Sequence, residues 1–174
     1  EALLDDRKEQ LLLSVAHGKH GYGLAWSDVA AGRFLLSHAV DADQLAAELA
    51  RLNPAEILIP DDEVLAQALA GNKGLRRRPV WYFDAETGNR QLQQFFSVTD
   101  LHGFGLDSGN AAHAMAVAAA GALLGYLEET QKQYLKTIED KNKELETKFE
   151  SYQKAQATML ESIKKEARSR ESIK

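Results

Sequence analysis

The side chains that could do chemistry in this chain are carboxylates, imidazoles and guanidinium groups, and their spacing limits what chemistry that is. Asp28 ends an alternating apolar stretch, where a metal-dependent nuclease would cluster carboxylates around divalent ions. The preceding apolar stretch, Leu11 to Ala16, offers no second carboxylate, so Asp28 is expected to be a turn residue ahead of Gly32. The histidines His17, His20, His38, His102 and His113 include no i, i+4 pair of the sort that clamps a metal from one helix face. His17 and His20 flank a glycine-rich turn and could meet, but solvent-facing roles are expected. Arg76-Arg77-Arg78 is the basic cluster of the first 131 residues. It could contact phosphate, or it could pair with the nearby acids. No Gly-x-x-x-x-Gly-Lys loop and no Gly-x-Gly-x-x-Gly helix start is present. No serine or cysteine stands in a nucleophile motif.

One segment remains. Arg90, Gln91, Gln93 and Gln94 crowd together beside Phe95 and Phe96. Side-chain amides offer donors and acceptors without fixed charge. That suits a protein-docking face as well as an ordinary solvated surface. The residues therefore predict no catalytic centre, no metal and no cofactor.

The elements that would position these groups follow from periodicity and breakers. Leu11 to Ala16 fits a buried strand that ends at Gly18-Lys19-His20-Gly21. Tyr22, Leu24 and Trp26 alternate as a second strand, and Arg33 to Ser37 follows Gly32 as a third. Together they predict an antiparallel meander. Asp41 with Gln44 three residues on approximates a capping box for a helix through Leu45, Leu49 and Leu52, which Asn53-Pro54 stops. Glu56 to Ile59 reads as a strand closed by Pro60, and Asp61 or Asp62 caps a short helix through Leu69. Val80 to Phe83, after Pro79, is expected to be another strand. Gln91 to Phe96 reads as a short helix, and Leu101 to Leu106 as a glycine-rich connector. A meander followed by alternating strands and helices gives an α/β fold with a mixed sheet, an order found in the ribonuclease H-like architecture among others.

The style of the chain then changes. No glycine follows Gly125 and no proline follows Pro79. Ala111 to Ala122 is alanine-rich with high helix propensity, and Leu123, Leu124 and Leu127 continue it. Beyond it a heptad fits. Position a takes Leu135, Asn142, Phe149, Gln156, Ile163 and Arg170, and position d takes Ile138, Leu145, Tyr152, Met159, Glu166 and Ile173. Asn142 at a is the kind of polar residue that fixes register in a two-stranded coil. Leu135, Ile138, Asn142, Leu145, Phe149 and Tyr152 are the expected oligomer seam, which degrades toward Glu166 and Arg170.

Charge is uneven along the 174 residues. Residues 1–131 carry 10 Lys/Arg against 18 Asp/Glu, giving -8, and residues 132–174 carry 11 against 8, giving +3. An acidic folded half is a poor partner for a phosphate backbone. The interleaved positive tail looks like a solvated helix surface. No run of 18 apolar residues predicts a membrane span. The absence of cysteine excludes disulfides and thiolate zinc sites and suggests a reducing compartment, the cytoplasm. The first residues, Glu1-Ala2-Leu3-Leu4, carry no signal pattern and read as the cut edge of a longer protein.

Four motifs occur in order: Asp28-x-x-x-Gly32-Arg33-Phe34, Asn53-Pro54-Ala55-Glu56-Ile57-Leu58, Leu75-Arg76-Arg77-Arg78-Pro79 and Asp100-Leu101-x-Gly103-Phe104-Gly105. In that order and spacing they resemble the connector domain of the bacterial DNA mismatch-repair MutS family. Leu124-x-Tyr126-Leu127-x-x-Thr130-Gln131 is similar to the first helix of the lever domain that follows it. The resemblance covers about residues 1–133. Residues 134–174 lack the Leu-Pro step that ends this helix in the family. They look like a fused or engineered helix. The parts are then a connector-like domain over 1–108, the start of a lever-like helix over 109–133, and a charged helix over 134–174.

The resemblance implies a ribonuclease H-like fold without nuclease activity. It implies a part that transmits conformation within a repair ATPase and helps dock a MutL-type partner. The docking glutamines of the family fall near Arg90 and Gln91, with Gln94 on the same segment, and an arginine stands where a glutamine is usual. The mismatch-reading and ATPase motifs of the family are not in this chain, so DNA recognition and ATP hydrolysis would belong to other domains. Two other readings compete: an oligomerisation module whose working part is the C-terminal helix, and a metal-dependent nuclease.

Overall fold

A computed structural model describes residues 11–28, 32–107 and 109–171. Val29 to Ala31 of the first motif, the seam position Ile173 and the chain start at Glu1 lie outside them. The chain divides into two compact units, residues 1–128 and 129–174.

The first unit is built on a five-stranded mixed sheet in the order β3-β2-β1-β4-β5. Strands β1 (Leu11–Gly18), β2 (Gly21–Asp28) and β3 (Arg33–Ala39) form the expected antiparallel meander. Gly21 makes the tight β1–β2 turn with φ 109°, a conformation side chains oppose. Helix α1 (Ala42–Leu52) carries the chain across to β4 (Glu56–Pro60), which pairs parallel to β1. Asp41 caps α1 by accepting from the Gln44 amide at 2.8 Å, and the Gln44 side chain accepts from the Val40 amide at 3.0 Å. Asn53 ends the helix in the left-handed region, φ 42°. Asp62 caps α2 (Glu63–Ala68).

The fifth strand differs from expectation. β5 is Leu75–Arg78, parallel to β4, whereas Val80–Phe83 is a short 3-10 turn. The arginines conceal strand character because their heads reach acids while their backbone fills the ladder. Arg76 donates to Glu56, and Arg77 donates to Asp61 and Glu63. The Val80-Trp81 pair that suggested a strand is exposed instead.

Helix α3 (Ala85–Phe96) starts six residues before the expected Gln91, capped by Asp84. Helix α4 runs unbroken from Ala111 to Glu171, with the Asn110 side chain accepting from the Ala112 amide at 2.9 Å.

Strand alternation sends two sets of residues to two cores. On one face Leu13, Val15, Leu24, Ile57 and Ile59 meet Leu45 and Leu49 of α1 and Leu65 of α2. On the other, Leu12, Ala16 and Ala25 meet Leu92 of α3 and Val117, Ala119 and Leu123 of α4. Each fully buried leucine contributes about 1.5–3 kcal/mol. The arrangement is helix on sheet on helix, in agreement with the α/β, ribonuclease H-like class. The start of α4 satisfies the length and apolarity of a membrane span, but half of that stretch is buried against the rest of the first unit. Its apolarity is accounted for by the second core.

In the second unit, α4 from Thr130 to Glu171 is exposed along its whole length. Leu135, Ile138, Leu145, Phe149 and Tyr152, the apolar residues of the expected seam, are each at least 40% exposed.

Candidate functional site

One close crossing, at Gly88 of α3 and Gly121 of α4, sets the position of α3. A β-carbon on Gly121 would lie 2.5 Å from Gly88 Cα, and one on Gly88 would lie 2.6 Å from the Val117 carbonyl oxygen. The backbones of α3 and α4 therefore touch, and only glycine fits between them. α4 also lies close on the sheet, since a β-carbon on Gly23 would overlap the Met115 backbone. Gly88 and Leu92 are the buried residues of α3.

With that stripe turned inward, Arg90, Gln91, Gln94 and Phe95 are all exposed. At about 100° per residue they make one continuous outward face. Of the residues singled out in the sequence, Arg90, Gln91 and Gln94 thus come together, whereas Gln93 is half-buried and lines a cavity beside the helix. Arg90 donates to the Thr87 hydroxyl at 3.4 Å and lies 3.5 Å from Glu86. Gln91 borders the helix crossing, its Oε1 3.2 Å from where a Gly121 β-carbon would sit. Phe95 is 57% exposed and meets Phe96 edge-on at 5.0 Å. Trp81, in the 3-10 turn before α3, is 69% exposed and stacks on Tyr82 at 4.1 Å. The exposure of Trp81 was hidden in the sequence, because it sits in what looked like a strand, whereas Phe95 already stood out beside the polar cluster.

The cap of this helix is electrostatically tuned. Hydrogen bonds from the Thr87 hydroxyl and amide hold the Asp84 carboxyl below its ordinary value, with a smaller contribution from Arg90.

The other candidate groups take structural roles. Asp28 is the buried last residue of β2, not a turn residue, and accepts from Arg33 at 3.0 Å where β2 and β3 pair. Arg78 lies over the rings of Tyr126 at 4.8 Å and Tyr82 at 5.8 Å. With Arg76 and Arg77 bound to acids, the arginine cluster follows the ion-pair reading. His17 meets the Tyr22 ring at 5.1 Å, and His38 Nε2 lies 2.9 Å from the His20 carbonyl oxygen. A cavity of about 340 Å³ beside α3 is lined by Glu86, Gln93, Asp100, His102 and His113 among others. Most of these groups are already engaged: His102 Nδ1 lies 3.3 Å from Asp100, His113 Nδ1 accepts from the Asp107 amide, and Glu86 lies beside Arg90. Among the described residues no three His, Cys, Asp or Glu side chains are grouped to hold a metal ion.

What this arrangement can do is present one polar helix face with an aromatic edge, mounted rigidly on a second helix. Compared with known families, residues 10–139 match the family model described as MutS domain II. The match runs past Gln133, where the sequence resemblance fades.

Proposed function

Since the chain belongs to the MutS domain II family, the connector of MutS-type mismatch-repair proteins, we propose that it works as a non-catalytic coupling element whose α3 face docks a MutL-type partner. The observation that carries this reading is the outward face of Arg90, Gln91, Gln94 and Phe95 on a helix seated glycine-to-glycine against α4. A partner held there presses on α3, and α3 cannot move without moving the α4 backbone at Gly121. Interiors packed this closely pass on displacements rather than absorb them. The face is mostly neutral and polar with one aromatic anchor, the composition of a transient interface.

The test is capture of a MutL-type repair protein by this chain. Binding is expected, and the double substitution Arg90→Glu with Gln91→Glu, which replaces one positive charge by two negative ones, should weaken it at least tenfold while the fold is retained. If this chain fails to bind where a full-length MutS-type protein binds, the docking role is lost. Cleavage of DNA with Mg²⁺ or Mn²⁺ would favour the nuclease reading instead, and none is expected.

A further inference from the structure

We infer that the helix of residues 129–171 pairs with a second copy of this chain as a parallel, in-register, two-stranded coiled coil. Every exposed large apolar side chain from Tyr134 to Ile163 falls at heptad position a, d, e or g, and none at b, c or f. A stripe of this sort on a helix with no other core has one use in water, which is to be covered by another helix. The first unit has its own two cores and does not depend on this stripe.

Charge selects the direction. The early e positions are Glu139 and Glu146, and the early g positions are Lys141 and Lys148. In a parallel pair, g of one helix lies beside e of the following heptad of the other. Lys141 then faces Glu146 of the second copy, twice by symmetry. An antiparallel pair would set e against e and g against g, acid on acid and lysine on lysine. Asn142 at a selects the register. In register, its amide meets the same amide across the seam, whereas a slip of one heptad would face it with Leu135 or Phe149. The seam closes after Ile163, because Glu166 at d and Arg170 at a bond to each other along the same helix at 2.8 Å. The inference is independent of the α3 face, which lies in the other unit.

The chain contains no cysteine, so single cysteines report geometry cleanly. Sedimentation equilibrium should give twice the 19.2 kDa mass of one chain. Under mild oxidation Leu135→Cys and Ile163→Cys should each form covalent dimers by themselves. Leu145→Asp should return the chain to a monomer with the near-ultraviolet spectrum of the first unit unchanged. A chain that stays monomeric at high concentration overturns the proposal. So does cross-linking that appears only when the Leu135→Cys and Ile163→Cys chains are mixed, since that is the signature of an antiparallel pair.

Discussion

The phenolic hydroxyl of Tyr126 donates to Glu56 Oε2 at 3.1 Å, joining α4 to the first residue of β4 across 70 residues of sequence. The same carboxylate oxygen accepts from Arg76 at 3.4 Å, and Arg78 lies over the Tyr126 ring. This knot fixes α4 to the edge of the sheet beyond the reach of the α3 crossing. Burial, then the bond to Glu56, raise the Tyr126 hydroxyl above its ordinary value. The native state therefore holds this proton more tightly than the unfolded chain does. The corresponding stability is complete below about pH 10 and is lost as pH rises through the raised native value. Tyr126→Phe should cost about 1 kcal/mol in urea unfolding at pH 7. It should also remove part of the loss of stability above pH 10.

Asp84 gives the opposite sign at the other end of the scale. Its carboxyl is held below the ordinary range by Thr87, so its contribution is present above about pH 4 and disappears as pH falls through the depressed native value. Asp84→Ala should lower the thermal midpoint at pH 7, and the gap from the parent chain should narrow toward pH 3. Asp84→Asn should keep most of the cap but not its pH dependence. The effect is small, because the group is exposed and salt screens it. Thermal scans at three pH values check both variants.

The elements legible in the sequence are those whose signal is local. The meander shows as alternation between Leu11 and Ser37, and α1 shows through Asp41, Gln44 and Asn53, each of which acts within its own turn. The helix of residues 129–171 shows because no glycine or proline interrupts it. Where the sequence misled, the deciding contact was distant. β5 hides behind arginines whose partners Glu56 and Asp61 lie on another strand or its end. The first half of α3 hides behind Gly88, a poor helix residue until Gly121 is seen against it. Arg90, Gln91 and Gln94 were readable as a polar cluster, but their shared face depends on that longer helix.

Ser14 is a buried polar group that the fold leaves unused. It stands in the middle of β1, opposite Ala25 on one side and Leu58 on the other. Its hydroxyl oxygen is buried without a hydrogen-bond partner among the described residues. An unsatisfied buried hydroxyl is a net cost. Ser14→Ala should therefore raise the unfolding free energy by about 1 kcal/mol. A loss of stability on this change would mean that the hydroxyl has a partner that the fold does not reveal.

Gly121 and Gly125 stand one turn apart on α4 and should answer the same substitution with opposite signs. A β-carbon on Gly121 meets the backbone of Gly88 at 2.5 Å, and a backbone atom cannot swing aside as a side chain can. Gly121→Ala should force α3 and α4 apart and cost about 1–3 kcal/mol. A β-carbon on Gly125 meets the Tyr82 ring at 3.8 Å, an ordinary contact. There the gain in helix propensity decides, and Gly125→Ala should stabilise by up to about 1 kcal/mol. The pair also separates fold from function. If α3 passes partner binding to α4 through the glycine crossing, Gly121→Ala should weaken capture of the MutL-type partner and Gly125→Ala should leave it intact. Equal capture by a folded Gly121→Ala chain would mean that the α3 face docks without needing the crossing behind it.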